Sequence, residues 1–484
     1  MTVAFFPLHA DDAYIVARYA EQLHAGHGPV FNKGEAVNAL TSPAHFGTLV
    51  ALRSVADDPV TIYRALCSVL VAAVLISIAH LRWPHDLRGA YFLALTLACP
   101  FVAFWTVGGL ETPLLLSLCT IIAYLSTQAG PRSAAAIVGL SAVAVLVRYD
   151  AVLFVAPVAM VAIWRHRIDV RVWLAFTVGC LAVLAWLMFT WVFYGDILPT
   201  SFYVKAGSAP ALSELVRGLL YVTSFAALTW IWIAVLLFRG ADFASVRPVW
   251  VGLFLTSTYA VFASTKHMMY CYRLLVPFLP VLAFALLHGI REVPSRGRRA
   301  MLATVLIAQA SLAAFVYYWS QNPSLSLIAE GRSDANAAFE FSHLGARHTG
   351  AFLATAEGQA NAIRNHWAAA DLGVTRPPRI IVSTGGRLPF LLPDAYVFEQ
   401  LVSYRHECKP ALEPLADYSQ VIYDANESTE VARQRVLQGR EVVARFELEA
   451  SGLRAEPLPL VIEIWYRAAE APNPLPPRLS GQCR

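Results

Sequence analysis

Ten apolar runs of membrane-spanning length dominate the first 319 residues of this 484-residue chain. A helix of roughly 20 mostly apolar residues crosses the hydrocarbon core of a bilayer. The composition agrees, because 57% of the residues are hydrophobic and 14% are charged. Such values are typical of an integral membrane protein and not of a soluble globular one. The ten predicted spans lie near residues 60–81, 89–107, 113–127, 134–147, 151–164, 172–194, 218–238, 248–264, 274–290 and 300–319.

The spans divide the chain into three predicted parts. Residues 1–59 form a first outer loop, residues 60–319 a polytopic transmembrane domain, and residues 320–484 a domain polar enough to be soluble. This last part alternates strand-like apolar runs with helix-like stretches, which predicts a small α/β domain. The strand-like runs are 379–383 and 458–466, and the helix-like stretches are 332–343 and 430–437. We therefore expect an α-helical polytopic protein of ten or eleven spans with a C-terminal α/β domain.

The basic residues of the loops predict the orientation, because cytoplasmic loops carry excess Lys and Arg. Twelve arginines fall on one side: Arg82, Arg88, Arg132, Arg165, Arg167, Arg171, Arg239, Arg247, Arg291, Arg296, Arg298 and Arg299. The opposite loops hold Arg148, Lys205, Arg217, Lys266 and Arg273. This bias places residues 1–59 and the C-terminal domain outside the cytoplasm. Residues 1–10 are too few to span a membrane, so we expect either a helix upstream of Met1 or an interfacial N-terminus.

An acidic pair, Asp11 and Asp12, precedes the apolar segment Ala13-Tyr14-Ile15 in the first outer loop. Two adjacent carboxylates beside a bilayer are costly to desolvate, so they usually face water, a cation or a substrate. Further charges on the predicted outer side stand next to turns or aromatic residues: Glu111, Arg148, Lys205, His267 and Arg273. Each alone could be an ordinary interface residue. As a set on one side they predict an outward-facing polar site.

The motifs around these charges are similar to those of the clan C glycosyltransferases (GT-C), which use polyprenyl-phosphate sugars, and to their bacterial arabinofuranosyltransferase-like branch. The most specific motif begins at Asp11-Asp12-Ala13-Tyr14-Ile15 with Arg18-Tyr19. It continues through Gly26-His27-Gly28-Pro29-Val30-Phe31-Asn32 to Thr41-Ser42-Pro43. Others follow in family order: Gly109-Leu110-Glu111-Thr112, Arg148-Tyr149-Asp150, the segment from Leu198 to Lys205, and Tyr272-Arg273-Leu274-Leu275-Val276-Pro277. Tyr149 stands where the family usually has Pro, and Thr200 where it has Asn.

The resemblance implies transfer of a sugar from a polyprenyl phosphate, which requires a base for the acceptor hydroxyl and cations for the phosphate leaving group. A carboxylate shielded from water beside a second acid suits the base, and we expect Asp12, or else Asp11, in this role. Fixed cations stabilise the charge that develops on the leaving oxygen. The phosphate-binding candidates are Lys205, Arg273 and His267, although lipid headgroups or a structural role remain open. The candidates for sugar binding or for support of the site are Glu111, Arg148, Tyr203 and Arg18, with a structural ion pair equally open for Glu111 and Arg148.

The sequence also offers candidate residues for a metal site and a disulfide. Asp11 and Asp12, with a carboxylate such as Glu111, could bind a divalent cation (Mg, Mn or Ca), but no ligand spacing demands one. Gly385-Gly386 is too short to cradle the phosphates of a nucleotide, which disfavours a nucleotide-sugar donor. Cys408 and Cys483 could form a disulfide in an oxidising compartment.

The expected partners are the lipid-linked donor, membrane lipids, and a glycan, lipid or protein acceptor of the cell envelope. The scattered basic residues exclude nucleic acid as an expected partner. The expected location is the bacterial inner membrane, with the site facing the periplasm or exterior. A transporter or flippase remains an alternative, although we find no inverted repeat. An oligosaccharide ligase is the nearest enzymatic alternative.

Overall fold

The computed structural model describes residues 5–6, 9–205, 212–229, 246–263, 271–289, 298–321, 346–369, 376–382, 385–399, 402, 416–424, 440–448 and 460–467. Its helices before the C-terminal domain are α1 (Ala13–His24), α2 (Pro43–Arg53), α3 (Pro59–Arg82), α4 (Leu87–Thr96), α5 (Pro100–Val107), α6 (Thr112–Leu125), α7 (Pro131–Val147), α8 (Val152–Arg165), α9 (Val170–Tyr194), α10 (Thr200–Lys205), α11 (Leu212–Leu228), α12 (Arg247–Ala263), α13 (Leu279–Gly289) and α14 (Arg298–Gln321). The first 59 residues are thus more ordered than the predicted loop, since they contain α1 and α2.

The predicted spans correspond to these apolar helices, with one correction. Within the described residues, α3 and α9 are each long and apolar enough to cross a membrane. The run at 89–107, expected as one span, is instead the pair α4 and α5, bent by 60°. Pro100 explains the break, because proline at the start of a helix lacks an N–H and cannot continue the preceding helix. The pair together makes a third candidate span.

Shorter apolar helices occupy the other predicted spans. Helices α6, α7, α8 and α12 lie at 112–125, 131–147, 152–165 and 247–263, close to their predicted bounds. The run at 218–238 begins in α11, and its second half lies outside the described residues. Helix α13 follows a short 3₁₀ turn, Val276–Phe278, in the run at 274–290, and α14 covers the last run. The chain is a multi-pass membrane protein, and the number of its crossings stays a prediction.

The C-terminal domain contains a mixed five-stranded sheet in the order β2-β1-β3-β5-β4. The strands are β1 (Arg379–Ile381), β2 (Tyr396–Phe398), β3 (Tyr418–Asp424), β4 (Glu441–Leu448) and β5 (Leu460–Tyr466). Strand β1 is parallel to β2 and β3, whereas β5 is antiparallel to β3 and β4. Helix α15 (Ala346–Ala369) packs against β4, where Gly358 faces the ring of Phe446, and α16 (Arg387–Leu391) links β1 to β2.

The predicted small α/β domain is confirmed, and both predicted strand runs contain a strand. The predicted helices at 332–343 and 430–437 lie outside the described residues. The longest helix of this domain among the described residues, α15, is not one that the sequence analysis singled out.

Candidate active site

The acidic pair lies at the start of α1, against the C-terminal domain. Both carboxylates are half-buried, and Asp12 is the residue that precedes the first turn of α1. The Oδ1 atom of Asp11 accepts a hydrogen bond of 2.8 Å from the backbone N–H of Arg387, which begins α16. Gly386 allows this approach, because a methyl group at that position would overlap the carboxyl group and backbone oxygen of Asp11. The C-terminal domain therefore contacts the predicted catalytic pair directly.

Arg18, about two turns further along α1, anchors the C-terminal domain. Its side chain is fully buried, and its Nε donates to the carbonyl oxygen of Phe31 at 2.8 Å. Its two terminal nitrogens donate to the carbonyl oxygens of Pro389, Leu392 (2.9 Å) and Ala395 (2.7 Å), at the end of α16 and just beyond it. Burial lowers the pKa of Arg18 to about 9, against the opposing effect of Asp394. This placement favours a supporting role for Arg18 over direct sugar contact.

Three further contacts belong to the interface that we call the domain seam, between residues 11–35 and residues 385–397. The amide of Asn32 both donates to the carbonyl (2.8 Å) and accepts from the N–H (2.9 Å) of Val397, as a neighbouring strand would. Gln22 donates to the carbonyl of Pro393 at 2.6 Å. Lys33 pairs with Asp394 at 2.7 Å on the surface. Backbone groups accept or donate most of these bonds, so the seam depends on the path of the chain in residues 385–397.

A second polar group, which we call the buried ion cluster, consists of Glu111, Arg148, Asp150 and Arg273. Arg273 donates to both oxygens of Glu111, at 2.8 and 3.1 Å. Arg148 lies 3.8 Å from Glu111 and also pairs with Asp150. A structural ion pair was one expectation for Glu111 and Arg148. The structure shows this pair, and the carboxylate of Glu111 is shared between Arg148 and Arg273.

The charges in this cluster oppose the cost of burying them. Only 3% of the surface of Glu111 is exposed, and burial alone would raise the pKa of its carboxyl group. Arg273 and Arg148 outweigh that effect and lower the pKa of Glu111 to about 2. In the same way Asp150 and Glu111 overcome burial and raise the pKa of Arg148. Glu111 and Arg148 are thus both ionised at neutral pH.

A constrained turn aims Arg273 at Glu111. The two residues before it, Cys271 and Tyr272, have φ angles of 53° and 55°, the left-handed region that costs a non-glycine residue roughly 1–2 kcal/mol. The turn is held by Trp105, whose indole N–H donates to the carbonyl of Cys271 at 2.9 Å. The hydroxyl of Tyr272 in turn donates to Ser224 at 3.0 Å. The side chain of Arg273 stays 17% exposed and lies 5.8 Å from the ring centre of Trp105, so it can meet a ligand at the edge of the cluster.

The turn from Gly108 to Glu111 joins the acidic pair to the cluster. The backbone N–H of Ala10 donates to the carbonyl of Gly108 at 2.9 Å. Gly109 has a φ of 84°, and a methyl group on it would lie 3.0 Å from the Cβ of Ala13. Glycine at position 109 therefore permits both the left-handed backbone conformation and the close approach to Ala13. As a result, the acidic pair and Glu111 of the cluster lie close to the same turn.

Three residues near these groups were missed in the sequence analysis. His45 is fully buried, with its ring 4.7 Å from that of Tyr63, and burial lowers its pKa to about 4. Its place two residues after the Thr41-Ser42-Pro43 motif was the available signal. Gly386 was set aside because Gly385-Gly386 is too short to cradle phosphate, and Arg387 was not singled out. No signal along the chain links either residue to Asp11.

Several predicted site residues are not placed. The backbone of Lys205 ends α10, but its side chain lies outside the described part of the chain, as do His267, Cys408 and Cys483. Tyr203 is exposed on α10. Among the described residues no three His, Cys, Asp or Glu side chains form a possible metal site, so Asp11, Asp12 and Glu111 do not assemble one. Metal dependence and the disulfide stay predictions.

Comparison with known proteins gives two kinds of similarity, and no family model matches the chain. The chain is 28% identical over 256 residues to a terminal β-(1→2)-arabinofuranosyltransferase of Mycobacterium tuberculosis (strain ATCC 25618 / H37Rv). That match spans 47% of this chain and 39% of the relative's length.

The fold is similar to that of ArnT from Cupriavidus metallidurans, solved bound to undecaprenyl phosphate and in the apo state. Both structures superpose with a TM-score of 0.53. Each comparison covers 95% of this chain and 95% or 96% of the other, at 15% or 16% identity. The predicted fold class is confirmed, and the similarity to an arabinofuranosyltransferase confirms the resemblance found in the motifs. The chain therefore has the ArnT-like fold of the clan C (GT-C) glycosyltransferases.

Proposed function

We propose that this protein is a membrane glycosyltransferase that moves a sugar from a polyprenyl-phosphate donor to an acceptor of the cell envelope. The observation that supports this most is the Gly108–Glu111 turn, because it packs against Ala10 and Ala13, which flank the acidic pair, and ends at Glu111 of the buried ion cluster. Transfer from a glycosyl phosphate needs both a base and a positive charge. The relative named for arabinofuranosyl transfer and the ArnT structure with undecaprenyl phosphate support the same donor class.

Asp12 is the proposed general base for the acceptor hydroxyl. It stands between Asp11, whose carboxylate bonds to the C-terminal domain, and the buried first turn of α1. A partly desolvated carboxylate is a better base than one in bulk water, and a positioned base contributes about 10²- to 10⁴-fold to the rate.

Arg273 and Lys205 are the proposed cations for the donor phosphate. Arg273 is already oriented by Glu111 and by its constrained turn, so it needs little reorganisation to meet an anion. Lys205 comes from the Leu198-to-Lys205 motif at the end of α10. Glu111 and Arg148 then serve to hold Arg273 in place.

The proposed orientation puts the acidic pair and the C-terminal domain on the periplasmic or exterior side of the inner membrane. The twelve-to-five distribution of basic residues between the two sets of loops supports this side. The C-terminal domain would then lie where an acceptor glycan, lipid or protein of the envelope arrives.

The test uses purified protein in detergent with radiolabelled polyprenyl-phosphate sugars (arabinofuranose, mannose, galactose and an amino sugar) and a panel of envelope acceptors. Wild type should consume one donor, Asp12→Asn should lose about 10²- to 10⁴-fold in rate, and Lys205→Ala should weaken donor binding. Asp57→Asn is the matched control, because Asp57 is a fully exposed carboxylate of the same N-terminal segment. Equal rates for Asp12→Asn and Asp57→Asn would contradict the role of Asp12. Solute uptake into vesicles without donor consumption would instead favour a transporter.

A further inference from the structure

The contact between Asp11 and the C-terminal domain joins residues 376 positions apart in the chain. It involves the peptide between Gly386 and Arg387, and its geometry leaves no room for a side chain at position 386. The neighbouring Gly385 is different, because a methyl group there would lie 3.5 Å or more from Glu399 and Ile15, an ordinary packing distance. Only one of the two adjacent glycines is therefore required by the approach to Asp11.

We propose that the Gly386–Arg387 peptide is a positioning element of the transferase site, which orients the acidic pair only when the C-terminal domain is docked. This inference rests on the proposed function. A carboxylate that accepts a hydrogen bond from a fixed N–H loses rotational freedom. Because Asp11 and Asp12 are adjacent, fixing the side chain and backbone of Asp11 also fixes the direction in which the side chain of Asp12 leaves the backbone.

Helix α16 is held at both ends, which makes it suited to this role. Its first N–H bonds to Asp11, while Arg18 binds the carbonyls of Pro389 and Leu392 at its other end. Both anchors belong to the same stretch of chain, residues 11–18, at the beginning of α1. The guanidinium of Arg387 adds a third contact, since it lies 5.6 Å from the ring centre of Tyr14. A displacement of α16 is therefore transmitted to the first turn of α1.

The experiment compares Gly386→Ala with Gly385→Ala in donor consumption and acceptor transfer. Gly386→Ala must push Asp11 or α16 aside, and misplacement of a catalytic group by about 1 Å costs on the order of 10²-fold in rate. We expect kcat to fall at least about tenfold while the KM for the donor changes less than threefold, because the phosphate-binding cations are untouched. Gly385→Ala should retain wild-type kcat.

A second pair of variants protects the test against a folding defect in Gly386→Ala. Asp11→Asn keeps an oxygen that can accept the N–H of Arg387, whereas Asp11→Ala does not. The asparagine variant should be at least tenfold more active than the alanine variant. Docking of the C-terminal domain is measured independently of activity. Cysteines are introduced at positions 33 and 394 and cross-linked with a short bifunctional maleimide, since the native side chains Lys33 and Asp394 lie 2.7 Å apart.

The outcomes separate this inference from the proposed function. Wild type that consumes no donor while the 33–394 cross-link forms would overturn the proposed function and this inference with it. An active wild type with equal kcat for Gly386→Ala and Gly385→Ala would overturn only the positioning role. Equal inactivity of Asp11→Asn and Asp11→Ala would assign chemistry to the carboxylate itself and also overturn it. A loss of kcat confined to Gly386→Ala and Asp11→Ala supports it.

Discussion

The domain seam begins beside the Gly108–Glu111 turn, and the buried ion cluster includes the last residue of that turn. Burial decides the pKa of the central charge in the seam but not in the cluster. In the seam, burial prevails over the nearby Asp394 and lowers the pKa of Arg18 to about 9. In the cluster, Arg273 and Arg148 prevail over burial and lower the pKa of Glu111 to about 2. The seam solvates its charge with carbonyl dipoles, whereas the cluster balances charge with charge. The charges of the cluster thus stabilise one another in the buried site. The guanidinium of Arg18, in contrast, would be better solvated by water if the C-terminal domain undocked.

The largest effect is expected from breaking the cluster. Glu111→Gln leaves the buried Arg148 and the half-buried Arg273 without their shared carboxylate. Breaking a buried pair by removing one partner costs about 3–5 kcal/mol. Thermal unfolding of the solubilised protein, followed by tryptophan fluorescence, should show the loss. Asp86→Asn is the control, because Asp86 pairs with Arg88 at a partly exposed position and asparagine also caps helices. Similar melting temperatures for the two variants would show that the cluster is not held by its charges.

The next effect should come from the seam. Arg18→Lys cannot reach all four carbonyls that the guanidinium binds, and buried acceptors left unsatisfied cost about 1–3 kcal/mol each, so we expect a loss of about 3 kcal/mol. The 33–394 cross-link should also weaken. Arg364→Lys, an exposed arginine that donates to a carbonyl at the end of α16, serves as control. An unchanged cross-link in Arg18→Lys would mean that other contacts hold the domain.

His45, which interacts electrostatically with Glu111 and Arg273 of the cluster, adds a pH dependence to the stability of the protein. Its pKa is lowered to about 4 in the folded protein, chiefly by burial, with Glu111 opposing and Arg273 reinforcing the shift. In the unfolded chain the pKa of this histidine is about 6.5, so the unfolded state binds more protons than the folded state between about pH 4 and 6.5. The free energy of unfolding is therefore highest above about pH 6.5 and decreases as the pH falls toward about 4. Between pH 7 and pH 5 this loss is about 2 kcal/mol.

The check is a comparison of melting temperatures at pH 7, 6 and 5. His45→Gln, which does not titrate, should lose less stability than wild type over this interval. Parallel curves for wild type and His45→Gln would contradict the buried neutral histidine.

The smallest effect should come from the surface pair of the seam. Lys33 and Asp394 have side chains that are 41% and 77% exposed, and such pairs contribute about 0–1 kcal/mol. Lys33→Ala should leave the melting temperature within about 2 °C of wild type at physiological salt. A loss as large as that of Arg18→Lys would show that the seam is held by surface charge and not by the buried backbone contacts.

Much of the membrane part could be predicted from local patterns, because each span is an apolar run that needs no distant partner to be recognised. The break at Pro100 was visible in the sequence but was passed over, since the apolar run continues across it. The charges of the cluster were singled out from their turns. Their pairing was not, because Glu111 and Arg273 are 162 residues apart and meet only when α6 packs beside the turn that follows residue 270.

The sequence by itself determined the class of this protein, since the apolar runs, the basic loops and the acidic pair are local features set by hydration energy. The motifs along the first 290 residues likewise determined the family resemblance. Only the tertiary structure decided that the C-terminal domain lies on the acidic pair, that Arg18 supports it, and that Gly386 must lack a side chain. These contacts depend mostly on backbone atoms whose positions follow from the fold, and backbone atoms are the same at every position in the sequence.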